Sequence, residues 1–424
     1  MKKTLSIALI ALLVLSCNPD RSKRIQSQAQ SNQDYIEVET DVVETATPIP
    51  QLPIINVYVE NSGSMDGYVK GVTEFEQSVY NFLSDIKIKN LTSELNLNYI
   101  NSIIIPQNSD IQDFIEKLEP STFKARGGKR ATSDISNVLK SILVKTNDSI
   151  LSILVSDCVF SPGSGVNAEE YLVNQQIGIK VSMSEYLQAH PQTAVLIYQL
   201  SSNFNGKYYN RLNQPKQINN KRPFYIWVIG HQEYIRTLIT QIKEESFKGS
   251  GVEHSYILSS GNQSLKYDVP MGYGNFTYDK KLQPATHNLA KMRKDQHTGK
   301  AIFSINVDFS SLLVSDDYKE NIGNYNTNDT DYKLESISST TATGYTHNIK
   351  ISSEILKPCN YQISLKKSLP QWVYDLNSDD DMDINTNNNM NKTYGIKYLI
   401  EGVNEAYLNE SEYYTTLQIN IKTN

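Results

Sequence analysis

The apolar positions in the first half of the chain follow two alternating patterns. Short, nearly continuous apolar runs, such as residues 150–155, are typical of strands buried on both faces of a sheet. Between these runs lie longer stretches in which apolar residues recur at helical spacing. Strand–helix alternation of this kind predicts an α/β fold with a doubly wound, mostly parallel sheet. The predicted strands are 54–59, 95–105, 149–155, 193–200 and 223–229, and the predicted helices are 72–87, 109–118, 134–145, 166–189 and 231–244.

The period of the pattern changes after about residue 250. There, apolar residues such as Phe303, Ile305 and Val307 alternate with polar ones. A period of two with one polar face predicts antiparallel strands. A helix predicted at about 393–408 interrupts these strands.

The chain has 424 residues, which is longer than a typical domain with a single hydrophobic core. We therefore expect two domains, an α/β domain at 51–248 and an antiparallel, β-rich, sandwich-like domain at 250–424. Residues 201–222 are polar and separate two predicted strands. They are predicted to form a long connection, either a partner-facing loop or an ordinary surface insertion.

The N-terminal residues 1–16 have the features of a bacterial export signal. Two lysines precede an apolar run that is shorter than the about 20 residues needed to span a bilayer. The run ends at Ser16-Cys17, which resembles the lipobox of bacterial lipoproteins. This resemblance implies cleavage before Cys17 and attachment of lipid, such as palmitate, to that residue. A plain secretory signal is the alternative.

The polar residues 17–50 predict a flexible tether between the lipid and the folded part. We expect the protein in the bacterial cell envelope, held to a membrane by its lipid on the periplasmic face or at the cell surface. The net charge is −6. This charge argues against nucleic acid as a partner, because phosphate binding requires a basic surface.

Oxygen-bearing side chains cluster where predicted strands end. One group follows the first strand, where Gly63 permits a tight turn. A second group of oxygen-bearing residues directly precedes the helix at 134–145. Ligands of open α/β sheets bind beyond the carboxyl ends of the strands, and hard divalent cations prefer carboxylate and hydroxyl oxygens. The candidate ligands are Glu60, Ser62, Ser64, Thr132, Ser133 and Asp157.

This set resembles the metal-ion-dependent adhesion site (MIDAS) of von Willebrand factor type A domains. That family carries Asp-x-Ser-x-Ser after the first strand, a threonine on a later loop and an aspartate at the end of a central strand. Ser62 and Ser64 match the two serines, Thr132 or Ser133 matches the threonine, and Asp157 matches the aspartate. The resemblance implies a site for Mg²⁺ or Mn²⁺ whose coordination is completed by an acidic side chain of a protein partner.

The chain differs from the family pattern in having Glu60 where the family has aspartate. The nearby Lys129 and Arg130 suggest an alternative in which a basic side chain pairs with Glu60 and Asp157 in place of the ion.

We expect a binding protein of the cell envelope, for adhesion or assembly. The alternatives are a metal-assisted hydrolase with Ser64 as nucleophile and a metal-free structural scaffold. Ser64 lacks the flanking glycines of a nucleophile elbow, and no phosphate-binding loop follows the first strand, so an enzyme is not expected. The segment 379–385, which contains the acidic run 379–383, begins like an EF-hand loop but has Ile384 in place of the glycine and Met390 in place of the glutamate. It is predicted to be a solvated acidic loop.

Overall fold

In the computed structural model, which describes residues 52–131, 134–261, 264–386 and 389–423, the strands of the first half form one seven-stranded sheet. The strands of this sheet are β1 (Ile54–Glu60), β2 (Glu94–Ile100), β3 (Ile104–Gln107), β4 (Ile150–Ser156), β5 (Thr193–Tyr209), β6 (Pro215–His231) and β7 (Val252–Ser259). Their order across the sheet is β3-β2-β1-β4-β6-β5-β7.

The helices of the first half connect these strands. They are α1 (Glu74–Ile88), α2 (Ile111–Glu116), α3 (Pro120–Ala125), α4 (Ile135–Leu143), α5 (Ala168–Ala189) and α6 (Gln232–Gln241), with 3-10 helices at Ser64–Gly67 and Glu244–Ser246. Polar caps begin several of them; for example, Thr73 accepts a hydrogen bond from the backbone of Glu76 at the start of α1.

The sheet is mixed. β1 pairs in parallel with β2 and β4, which gives the parallel arrangement expected at the centre of an α/β layer. The other pairings, β2–β3, β4–β6, β5–β6 and β5–β7, are antiparallel. β4 is buried along nearly its whole length on both faces, as its apolar run predicts.

The polar residues 201–222 are not a loop, and the prediction of a long connection is wrong. β5 and β6 remain paired from Thr193–His231 out to Tyr209–Pro215, so these residues extend both strands as a two-stranded ribbon beyond the sheet. On β5, Phe204 and Tyr208 face inward and are buried. These two residues alternate with polar ones, which is a pattern typical of a strand. The high polar content of the segment makes this pattern hard to recognise in the sequence.

The second half forms two further sheets. Its strands are β8 (Tyr267–Asp268), β9 (Asn275–Tyr278), β10 (Asn288–Arg293), β11 (Ala301–Val307), β12 (Tyr325–Thr327), β13 (Tyr332–Ser339), β14 (His347–Ser353), β15 (Cys359–Lys366), β16 (Asn377–Ser378), β17 (Thr393–Tyr394) and β18 (Tyr413–Ile421). Its helices are α7 (Asp316–Glu320), α8 (Gln371–Asp375) and α9 (Ile396–Glu410), with 3-10 helices at Ala285–His287 and Ile322–Asn324.

The two larger sheets of this half share a hydrophobic core. One has the order β12-β15-β18-β10-β9 and the other β13-β14-β11-β8, while β16 and β17 form a separate pair. Apart from the parallel contact between β10 and β18, the described strand pairs of these two sheets are antiparallel. Inward side chains such as Phe303 and Tyr361, one from each sheet, meet in this second core.

The first core extends past the boundary expected near residue 249. β7 completes the seven-stranded sheet, and α9 packs against α5, where Gly402 approaches Ile179. Apolar residues of α9, including Leu399 and Val403, therefore belong to the core of the α/β layer. All described residues lie within one compact unit. None of their helices combines the length and the apolar character needed to span a bilayer.

The ribbon packs closely on the 3-10 helix at Ser64–Gly67. A methyl group on Gly67 would overlap the ring of Phe204, and one on Gly206 would stand 2.7 Å from the Cα of Gly67. We therefore expect Gly67→Ala to lower the free energy of unfolding by about 1–3 kcal/mol in urea denaturation. Gly178→Ala in the middle of α5 is the control and should not destabilise, because its methyl group meets no atom closer than 3.5 Å. Equal stability of the two variants would contradict this packing.

A buried lysine lies where the two cores meet. Lys367 is 7% exposed, donates to the carbonyl of Tyr407 at 3.1 Å and stands 5.8 Å from the ring centre of Tyr414. Burial lowers the pKa of Lys367 to about 8, while the nearby Glu410 opposes this shift. The charged lysine is therefore less favourable in the folded protein than in the unfolded chain.

This shift predicts a pH dependence of stability. Between pH 8 and the ordinary lysine value of 10.5, the unfolded chain binds more protons than the folded one, so the stability contributed by Lys367 rises with pH. We expect the wild type to gain stability relative to Lys367→Met as the pH rises from 8 towards 10. Denaturation curves at several pH values measure this difference. The control variant Lys366→Met, at the neighbouring position, should show the same change of stability with pH as the wild type.

Candidate functional site

The turn that follows β1 presents two serine hydroxyls. Ser62 Oγ and Ser64 Oγ lie 3.0 Å apart, and Ser62 is buried whereas Ser64 is partly exposed. The backbone N–H of Gly63 donates to the carbonyl of Arg130 at 3.0 Å, which fixes the turn between them. The two hydroxyls are therefore held side by side, as the sequence predicts.

The end of β4 supplies carboxyl and hydroxyl groups to the same place. Because β1 and β4 are parallel neighbours, their carboxyl ends meet. The Ser156 hydroxyl donates to Glu60, and the Ser64 hydroxyl is near enough to Asp157 to act against the rise in the pKa of that carboxyl group. Asp157 also accepts from the backbone N–H of Val159 at 3.3 Å.

The backbone turns sharply directly after Asp157. Cys158 has a φ of 54°, the left-handed region that a residue with a side chain seldom adopts. Its N–H donates to Ser156 Oγ at 2.8 Å, and its thiol is buried. This strained turn redirects the chain away from the strand end and keeps Asp157 at the site.

The predicted site residues are therefore partly assembled. Glu60, Ser62, Ser64 and Asp157 lie at the ends of the adjacent strands β1 and β4, where Glu60 is bonded to Ser156 and the two serine hydroxyls are bonded to each other. Thr132 and Ser133 lie outside the described residues, as does the predicted lipidation residue Cys17.

The loop that leads to Thr132 is described as far as residue 131 and lies against the serine turn. Asn101 Nδ2 donates to Asn61 Oδ1 at 2.9 Å and to the carbonyl of Gly127 at 3.0 Å, which joins the turn, β2 and the loop. Arg130 donates to the carbonyls of Asn61 and Ser62 at 2.7 and 3.1 Å and forms an ion pair with Asp66. Arg130 therefore stabilises the serine turn through hydrogen bonds, and its ion pair is with Asp66 and not with Asp157.

Asp157 is a desolvated carboxyl group. It is 2% exposed, and burial raises its pKa above the ordinary aspartate value. The hydrogen bond from Ser64 and the positive charge of Arg222 act in the opposite direction without cancelling this effect. No described lysine or arginine is within ion-pair distance of Asp157. Within the described part of the chain, ionised Asp157 therefore has no direct cationic partner.

The donor set fits a hard divalent cation in its chemistry. Two hydroxyls and a carboxylate are oxygen ligands of the kind Mg²⁺ accepts, and the buried Asp157 would gain from a nearby positive charge. Among the described residues, no three His, Cys, Asp or Glu side chains gather into a metal cluster. A cation here would thus depend largely on the hydroxyls of Ser62 and Ser64.

A buried arginine from the ribbon was not predicted from the sequence. Arg222 is 1% exposed, lies over the ring of Tyr208 at 4.5 Å and donates to the carbonyl of Met390 at 2.9 Å. Its charge lowers the pKa of Asp157, so it contributes to the electrostatics of the site from beyond direct contact. The sequence pattern does not indicate this role, because residues 201–222 lack the apolar run that marks a buried strand.

The acidic run 379–383 was predicted to be solvated, and for Asp381 this prediction is wrong. Asp381 is fully buried and accepts hydrogen bonds from the Tyr208 hydroxyl at 2.6 Å and the Arg211 backbone at 2.8 Å. Asp380 pairs with the Arg211 side chain at 3.0 Å. The acidic run therefore docks on the tip of the ribbon.

No protein-family model, curated protein or solved structure matches this chain.

Two adjacent tyrosines of the ribbon allow a matched test of the Asp381 contact. Tyr208→Phe removes a donor from a buried carboxyl group and should cost about 1–3 kcal/mol of unfolding free energy. Tyr209 packs its ring near Gly63 and lies at the ribbon surface, so Tyr209→Phe should change stability by less than about 0.5 kcal/mol. Urea denaturation of both variants measures the difference. Equal losses would show that the Tyr208 hydroxyl has no special role.

Proposed function

We propose that this chain is a lipid-anchored binding protein of the bacterial cell envelope, for adhesion or assembly. In this proposal, residues 51–248 form a von Willebrand factor A-like domain that engages a protein partner through Mg²⁺ or Mn²⁺. The observation that carries the proposal is the grouping of the hydrogen-bonded hydroxyls of Ser62 and Ser64 with the desolvated Asp157 at the ends of adjacent strands.

Each residue has a distinct role in this proposal. Ser62, Ser64 and Asp157 would hold the ion directly, and Thr132 or Ser133 would complete the protein ligands. Glu60 hydrogen bonds to Ser156 and would supply negative charge nearby. The ion itself would offer a coordination position to an acidic side chain of the partner.

The partner would approach on the side of Ser64. Ser62 and Asp157 are nearly inaccessible, whereas Ser64 is partly exposed. Two exposed lysines, Lys124 and Lys129, belong to the segment that precedes Arg130 and lies beside the serine turn. Their positive charge favours the approach of a carboxylate and speeds association without having to contribute much affinity.

The alternative in which a basic side chain replaces the ion receives less support. Arg130 is committed to Asp66 and to two backbone carbonyls of the turn. Lys129 is exposed, and its backbone N–H is held by Ser102 at 2.8 Å. Anchoring by lipid at Cys17 is a separate part of the proposal and rests on the sequence of the export signal.

Calorimetric titration of Mn²⁺ into the full chain tests the metal site. We expect saturable binding that Asp157→Asn weakens at least about tenfold, because the substitution removes the charged ligand. Without metal, Asp157→Asn should be no less stable than the wild type, since burial raises the pKa of Asp157 and its charge is unfavourable there. Asp383→Asn, in the exposed part of the acidic run, is the control and should bind as the wild type does.

Retention on immobilised polyglutamate then tests the partner chemistry. The wild type should be retained in Mg²⁺ and released by EDTA, and Asp157→Asn should pass through in both conditions. Absence of any Mn²⁺ binding that depends on Asp157 would rule out the metal-dependent proposal. Retention that persists in EDTA would show attraction by the lysines alone.

A further inference from the structure

The outward face of the five-stranded sheet is covered by neutral amides. On β15 and β18, alternate residues such as Ile363 and Ile419 point into the second core, so the residues between them point away from it. Cross-strand pairing sets Asn360 and Asn288 on either side of Asn420, and Gln362 beside Gln418. The amide positions of this face are Asn288, Asn360, Gln362, Gln418 and Asn420.

A depression of about 400 Å³ lies on this face. Four of the amides line it, together with Gln283, and one wall is aromatic. There, the rings of Tyr267 and His287 stack with their centres 3.9 Å apart. The size of the depression falls within the range of small-molecule sites.

The described residues that line the depression include no lysine, arginine, aspartate or glutamate. The imidazole ring of His287, a lining residue that can carry a positive charge, lies 4.0 Å from the carboxyl group of Asp268, which is outside the lining. Charged residues make up 20% of the chain, so a lining without lysine, arginine, aspartate or glutamate is unusual here. Phosphates and acidic polymers are bound through lysine and arginine, which the described lining of the depression does not contain. A protein partner would bury an apolar centre, whereas the apolar surface of the described lining is limited to Tyr267, Pro284 and the ring of His287.

Amide side chains each offer donors and an acceptor, which is the pattern that sugar hydroxyl groups match. Some of the amides bond to one another: Asn420 Nδ2 donates to Asn288 Oδ1 at 3.2 Å. Gln418, Asn360 and Gln283, in contrast, are exposed at the rim. The face thus combines a fixed polar floor with adaptable polar groups at its edge.

We propose that this depression binds a neutral oligosaccharide or the chain of a neutral polysaccharide. Gln418, Asn360 and Gln283 hydrogen bond to the sugar hydroxyls, and the Tyr267–His287 pair packs against the apolar C–H face of a sugar ring. This site lies in the second half of the chain and is independent of the proposed metal site.

Native gel electrophoresis in gels containing polysaccharide tests the proposal. The panel is hydroxyethyl cellulose, galactomannan, arabinoxylan, dextran and amylopectin, with polygalacturonate as the charged member. We expect retardation by at least one neutral polymer and none by polygalacturonate. Gln418→Ala and Asn360→Ala should each lower the association constant for the retarding polymer roughly 3- to 10-fold, because each removes one hydrogen-bonding group.

Asn348→Ala is the matched control. Asn348 on β14 donates to Asn306 Oδ1 at 2.7 Å and forms the same kind of cross-strand amide pair on the other sheet. This variant should be retarded as strongly as the wild type. Binding should also persist in EDTA and in Asp157→Asn, which separates this proposal from the metal-dependent one.

Three results would overturn the proposal. They are no retardation by any neutral polymer, equal retardation by polygalacturonate, and unchanged binding when Gln418 and Asn360 are both replaced by alanine. Circular dichroism of each variant establishes that a loss of binding does not reflect unfolding.

Discussion

The ribbon formed by the outer parts of β5 and β6 is the constraint on which the rest of the structure depends. It packs on the 3-10 helix beside the serine turn, carries Arg222 into the interior and binds the buried carboxyl group of Asp381. A buried carboxyl group is costly unless its hydrogen bonds are kept. The ribbon and the acidic run from the second half of the chain therefore stabilise each other, and both fix the surroundings of the candidate site.

The sequence predicts the central strands well because their physics is local. β1 and β4 begin and end within one residue of the predicted 54–59 and 149–155, since continuous apolar runs mark strands buried on both faces. The ribbon is not predicted because its many polar residues hide the alternation that places Phe204 and Tyr208 on one face of β5. The docking of Asp381 could not be predicted, because its partner Tyr208 lies 173 residues away and no local pattern encodes that contact.

Some features of the candidate site can likewise be predicted from the sequence, and others cannot. Proximity of Ser62, Ser64 and Asp157 follows from the meeting of parallel strand ends, which the order of motifs along the chain already implies. The bond between Ser156 and Glu60 depends on strand register, and the position of Arg222 depends on the ribbon. Neither register nor ribbon geometry can be inferred from residue type and spacing alone.

The glutamate at position 60 changes what the site can do. Its carboxyl group is engaged by Ser156. Burial is the main reason that the pKa of the Cys158 thiol is raised, and the charges of Glu60 and Asp157 add to this rise, so both acids act on the same thiol. Arg222 offsets only part of this negative charge from a distance. A cation would relieve the remainder, yet its direct ligands would be mainly neutral hydroxyls. Sites with few charged ligands bind cations weakly, so in the proposed function the partner's carboxylate and the metal would each strengthen binding of the other.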